Sequence, residues 1–82
     1  MTDRNRKIVE FIAAKWVREV VNNSDFAKNH NLDEKTVRRI KDDESYRTSY
    51  ETIESICEGE NINLSEFFKE AEAMFPEIRI RK

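Results

Sequence analysis

A single cysteine excludes an internal disulfide, and one glycine with one proline leaves almost nothing for tight hairpins, phosphate-cradling loops or disordered linkers. No apolar run approaches the roughly 20 residues a bilayer span needs. The start from Met1 to Lys7 carries Asp3 and leads into no uninterrupted apolar stretch with a cleavage site, so the expectation is a soluble, cytoplasmic chain without a membrane partner. Only one histidine, His30, is present, which with one cysteine is too few for a His/Cys metal set, and it is expected as a hydrogen-bonded or exposed helix-end residue and not as the base of a triad. What remains is 82 residues, 38% hydrophobic and 39% charged. That makes one small all-α domain whose core is marginal without a partner, because a chain of this length buries little more than half of its unfolded surface.

The formal net charge of -2 conceals a segregation. Residues 1–23 and 24–41 each hold five Lys/Arg against three acids, whereas 42–77 hold two against eleven; Arg79, Arg81 and Lys82 follow. A globally acidic chain is a poor generic polyanion binder, yet a segregated one can present a basic face while its acidic half limits non-specific association.

Hydrophobic periodicity places the elements. Val9, Ile12, Ala13, Trp16, Val17 and Val20 recur at helical spacing and form one stripe, with Lys15, Arg18 and Glu19 opposite. A start signal then occurs three times, in which an Asx residue is flanked by two apolar residues five positions apart. The segments are Val21-Asn22 to Phe26, Leu32-Asp33 to Val37 and Ile62-Asn63 to Phe67. In each the Asx side chain can cap open backbone N–H groups while the apolar pair closes as a hydrophobic staple. A fourth start is expected at Thr48, where Glu51 completes a capping box, and that helix runs to Gly59 as its C-cap. Five helices follow, near 4–21, 23–30, 34–42, 49–59 and 64–75. Pro76 ends the last, and Glu77-Ile78-Arg79-Ile80-Arg81 alternates as a half-buried strand does, so this tail either frays or pairs with the same segment of a second copy. The expected division is a domain over 1–75 and a tail over 76–82, with Ile78 and Ile80 as dimerisation residues of a homodimer.

The segment from Asn23 to Ile40 holds a short helix, a tight connection and a second capped helix. Ala27 is small where the two must approach, and Asn31 stands where the chain must turn left-handed. These residues resemble the Cro/cI (Xre-type) helix-turn-helix family, the lambda-repressor-like DNA-binding domains. The likeness rests on Phe26-Ala27, Asn31-Leu32, Val37 and Ile40, and continues through Thr52-Ile53, Ile56-Cys57, Ile62-Asn63-Leu64 and Glu66-Phe67-Phe68, about residues 8–68 in all. The sequence departs from the family pattern at Asn23 and Asn31, where Gln and Gly are usual. His30 and Glu60 replace apolar residues, and Asp42-Asp43-Glu44 replaces a Glu-x-Gly.

The resemblance implies a five-helix lambda-repressor-like bundle acting as a sequence-specific transcriptional regulator on double-stranded DNA, with no cofactor and no small-molecule effector domain. A helix entering the major groove N-terminus first offers base edges the outward residues of its first two turns. The family's base-reading positions fall on Glu34, Lys35 and Arg39, where Lys or Arg can donate to guanine and Glu can accept from cytosine. Asn23, Lys28, Arg38 and Lys41 lie better for phosphate, and Tyr46, Arg47 and Thr48 can add backbone contacts. The alternative is a degenerate helix-turn-helix that binds protein only, in which the acids at 42–44 neutralise these same cations. Cys57 and the aromatics Phe11, Trp16 and Phe67 read as core. The carboxylates Glu51, Glu54, Glu58 and Glu60 have no partner that would split their pKa values, so an enzyme is not expected.

Overall fold

The computed structural model describes residues 3–79. Five α-helices form one bundle: α1 (Arg4–Ile12), α2 (Asn23–Asn29), α3 (Glu34–Asp42), α4 (Tyr50–Glu60) and α5 (Leu64–Met74). A π-helical turn over Ala13–Val17 extends α1, and a 3-10 turn over Pro76–Ile78 follows α5. No strand occurs among the described residues, so the all-α expectation holds. No helix among them is long and apolar enough to cross a membrane.

The first helix is shorter than its apolar stripe suggests. The Arg18 N–H reaches back to the Ala13 carbonyl at 2.8 Å, the wide spacing of a π turn, and Val20 N–H then bonds the Val17 carbonyl as the chain leaves the helix. The expected caps are partly realised. Asn22 accepts from the Asp25 N–H at 3.1 Å, whereas Asp33 and Asn63 hold extended cap conformations without a side-chain bond. The staple expected between Val21 and Phe26 does not close, since Val21 is 100% exposed while Phe26 is buried. Leu32 and Ile62, by contrast, pack against the core. At α4 the cap is Ser49, accepting from Thr52 N–H at 3.2 Å, and not Thr48. Thr48 is instead held by Asn5, whose amide donates to its carbonyl at 2.9 Å and accepts its N–H at 2.8 Å, fixing the loop before α4 onto α1.

Two helices end in the same way. Asn31 and Asn61 have φ of 53° and 58°. The next residue closes each turn: Leu32 N–H bonds the Ala27 carbonyl at 2.8 Å, and Ile62 N–H bonds the Cys57 carbonyl at 3.0 Å. This is the Schellman closure, with Asn in the place glycine usually takes. Asn31→Gly should therefore be neutral or mildly stabilising. Asn31→Val should cost about 1–2 kcal/mol, because a β-branched residue is poorly tolerated at positive φ. Thermal melts of the two variants check this, and coincident curves would contradict the left-handed turn.

Gly59, expected to cap α4, lies within that helix, and Asn61 takes the left-handed position beyond it. Its lack of a side chain serves a close approach. A Cβ at Gly59 would fall 2.3 Å from His30 Cδ2 and 2.9 Å from the Asn29 carbonyl oxygen. The His30 ring is 6% exposed and stacks on Phe26 at a centroid distance of 3.8 Å. Its Nδ1 donates to the Phe26 carbonyl at 2.8 Å, and its Nε2 lies 2.6 Å from Glu60 Oε2. The two polar residues that replace apolar ones in the family pattern are thus each other's partners, joining the end of α2 to the end of α4.

The core centres on Phe11 and Phe67, edge to face at 5.2 Å, with Trp16 stacked on Phe67 at 6.0 Å. Cys57 is buried with them, and burial pushes its thiol pKa up, which fits a small hydrophobe and not a reactive thiolate. The tail corrects the expectation of a strand. Pro76 opens a 3-10 turn that packs on α1 and α5, and Ile78 is 6% exposed. Ile78 therefore belongs to the core of this chain and is not presented for dimerisation, and the domain extends past residue 75. Ile80, the other expected dimerisation residue, lies outside the described residues.

Candidate nucleic-acid interface

α2 and α3 are packed together through Ala27, Val37 and the turn at Asn31, and α3 rests in addition on α1 and its π extension. Val37 and Ile40 face inward, completely or almost completely buried. The outward side of α3 then follows from helical spacing. Lys35, Arg38, Arg39 and Asp42 share one stripe and all are exposed, with Glu34 half-buried beside them.

The side chains on this face are largely paired along their own helix. Arg38 Nη2 donates to both Glu34 oxygens, at 2.6 and 2.7 Å, so the Glu34 carboxylate already has one cationic partner on its own helix. Arg39 Nε donates to Asp43 Oδ2 at 3.2 Å, and its guanidinium carbon stands 5.0 Å from the Tyr46 ring centroid. The other Asp43 oxygen accepts from the Ser45 N–H at 2.9 Å and from the Ser45 hydroxyl at 2.6 Å. Those Ser45 bonds, with Arg39 beside them, hold the Asp43 carboxyl below the usual carboxylate range, so it stays ionised at neutral pH. Lys35 and Lys28 are exposed, without an ion pair or side-chain hydrogen bond among the described residues.

The remaining expected contacts divide. Lys41 Nζ donates to the Val20 carbonyl at 2.7 Å, which ties α3 to the connection between α1 and α2. Thr48 is buried against α1 and offers no outward hydroxyl, since its Oγ1 donates to the Ser49 carbonyl. Tyr46 is likewise buried, and its carbonyl accepts from Arg6 Nη1 at 2.5 Å. Arg47 is exposed but paired with Asp3 at 2.6 Å, and that hydrogen bond draws the Asp3 pKa down. Asn23 is half-buried, and its Oδ1 is shielded without a hydrogen-bond partner among the described residues. Lys41 and Thr48 thus each have a partner far away in the chain that the local sequence does not show, and Thr48 is buried besides. Conversely, Asp43 and Tyr46 are brought against Arg39, and the structure adds Ser45 as the residue that holds Asp43. The contact of Asp43 with Arg39 is legible as an i,i+4 pair.

A short helix, a left-handed Asn turn and a second helix with one charged outward face define a small helix-turn-helix bundle. Comparison of the chain with family models, with curated proteins and with solved structures found no match. Any functional reading therefore stands on the residues and their geometry.

Proposed function

We propose that the protein is a sequence-specific DNA-binding regulator that lays α3 in the major groove of double-stranded DNA. The observation that carries this reading is the outward stripe of Lys35, Arg38 and Arg39 on the second helix of the α2–α3 unit, with Lys35 free and Lys28 exposed on α2. Lys35 and Arg39 supply base contacts, while Arg38 and Lys28 supply phosphate contacts. A single domain covers one half-site, and two copies on a two-fold site would couple two modest half-site energies.

A specific observation favours the second reading, a protein-binding module. From Asp33 to Glu44 four cations stand among five carboxylates, and Arg38 and Arg39 are both paired. The DNA reading is preferred because an exposed i,i+4 ion pair is weak and salt-screened, so a phosphate oxygen can replace a Glu34 oxygen on Arg38, and because Arg39 is engaged through Nε alone and keeps both Nη groups for a second partner.

Selection of bound duplexes from a random pool tests the proposal. The expected result is an enriched site on which Lys35→Ala costs about 1–3 kcal/mol and relaxes preference at one position. Lys28→Ala should weaken all duplexes alike and flatten the logarithmic salt dependence by about one unit. Absence of enrichment would move the assignment to the protein-binding reading.

A further inference from the structure

Arg39 differs from the other cations of α3 in how its head group is held. Only its Nε edge is engaged, by Asp43 at 3.2 Å, and the guanidinium carbon stands over the Tyr46 ring, 5.0 Å from its centroid. Its two Nη groups have no hydrogen-bond partner among the described residues, and the side chain is 50% exposed. Arg38, in contrast, has its Nη2 committed to Glu34.

The groups that hold Arg39 are themselves held. Asp43 is fixed by two bonds from Ser45, and the Tyr46 N–H bonds the Asp43 carbonyl at 3.1 Å. Arg6 of α1 reaches the Tyr46 carbonyl, and the Tyr46 ring is buried. The loop after α3 is therefore a rigid bracket. A long side chain ordinarily loses rotamer freedom when it binds, and a guanidinium held at its Nε edge and set over an aromatic ring has less to lose. The free end of such a fork carries two parallel N–H donors, which match the O6 and N7 acceptors of guanine.

We infer that Arg39 reads a guanine end-on through its two Nη groups, and that Asp43 and Tyr46 are the positioning residues that aim it. The acidic segment after α3, which lowers general attraction for a polyanion, thereby sharpens the choice of base. This inference rests on the DNA-binding reading above and adds to it the edge through which Arg39 reads and the residues that aim it.

The test uses the full chain and two duplexes. One is the best site from the selection; the other differs by a G·C to A·T change at the position whose preference Arg39→Ala abolishes. Wild type should favour the first about tenfold or more, the ratio expected of a bidentate contact. Asp43→Ala and Ser45→Ala should each lower that ratio about threefold or more, as expected for members of one coupled network. Tyr46→Phe should keep the ratio and Tyr46→Leu should lower it, with helicity by circular dichroism confirming that each variant is folded. Removing the Asp43 charge strengthens binding to both duplexes alike, so the ratio isolates positioning from electrostatics. A ratio lost in Arg39→Ala but unchanged in Asp43→Ala and Ser45→Ala would overturn the positioning roles while leaving DNA binding intact. Preference at every G·C pair surviving Arg39→Ala would overturn the guanine assignment. No enrichment by wild type would remove the DNA reading and this inference together.

Discussion

Ile78→Ala should lower the unfolding free energy by about 2–5 kcal/mol, the range for truncating a buried Ile in a core. The side chain is 6% exposed and seated between α1 and α5 by the turn that Pro76 begins. The Arg79 N–H bonds the Pro76 carbonyl at 3.1 Å and the Ile78 N–H bonds the Phe75 carbonyl at 3.0 Å, so the turn is a closed unit. Chain termination after Phe75 removes the same contact together with these bonds and should cost at least as much. Small domains have only about 5–15 kcal/mol in total, and one of this size sits at the low end, so the truncated chain should be substantially unfolded at 37 °C. Urea titration followed by circular dichroism measures both effects. A truncated chain that melts with wild type would show that the turn is dispensable and return the tail to the role of an appendage.

The tail marks where the sequence misleads. Two isoleucines alternating with charges over five residues satisfy a strand template, but an equally short segment can bury one isoleucine from a 3-10 turn, and period alone cannot separate them. Which of the two occurs depends on the gap that α1 and α5 leave between them. The helices are more legible because each rests on several apolar residues at one spacing, and four of the five expected ranges agree within two residues. The exception, α1, stops where a π turn interrupts a stripe that would otherwise continue to Val20.

The charged face was half legible. Glu34 with Arg38 and Arg39 with Asp43 are i,i+4 pairs, visible in the sequence once the helix is placed. Lys41 on the Val20 carbonyl, Asn5 on Thr48 and Arg6 on Tyr46 are contacts between segments far apart in the chain, fixed only by how α1 crosses α3 and its following loop. The left-handed turn at Asn31 was expected from its place between two helices. Its twin at Asn61 is masked in the sequence by Gly59, the more permissive residue, two positions earlier. The available signal was the shared pattern of Asn, an aliphatic residue and Asx at 31–33 and 61–63.

Gly59→Ala should destabilise the protein by about 1–3 kcal/mol, the cost of overpacking a tight contact. The sign is the reverse of the ordinary one, since exchanging a helical glycine for alanine normally gains about 1 kcal/mol. A Cβ would fall 2.3 Å from His30 Cδ2 and 2.7 Å from its Cγ, distances at which something must move. The ring has no direction in which to yield. It is stacked on Phe26, bonded through Nδ1 to the backbone of its own helix and through Nε2 to Glu60, so displacing it breaks contacts on three sides. His30→Ala alone should also destabilise, by loss of the stack and of both bonds. In the double variant the two nearest atoms, both of the ring, are gone, and the Asn29 carbonyl at 2.9 Å remains beside the new Cβ. The two substitutions should therefore be strongly non-additive, the pair being about 1–3 kcal/mol more stable than the sum of the singles, as contacting residues allow. Urea denaturation of the four proteins in the cycle measures the coupling. A stabilising Gly59→Ala in the wild-type background, or additive singles, would mean that the ring does not rest on Gly59. His30 immediately precedes the Asn31 turn, so this contact also sets how the α2–α3 unit is seated on α4. If α3 reads DNA, Gly59→Ala should weaken binding even at temperatures where the variant remains folded.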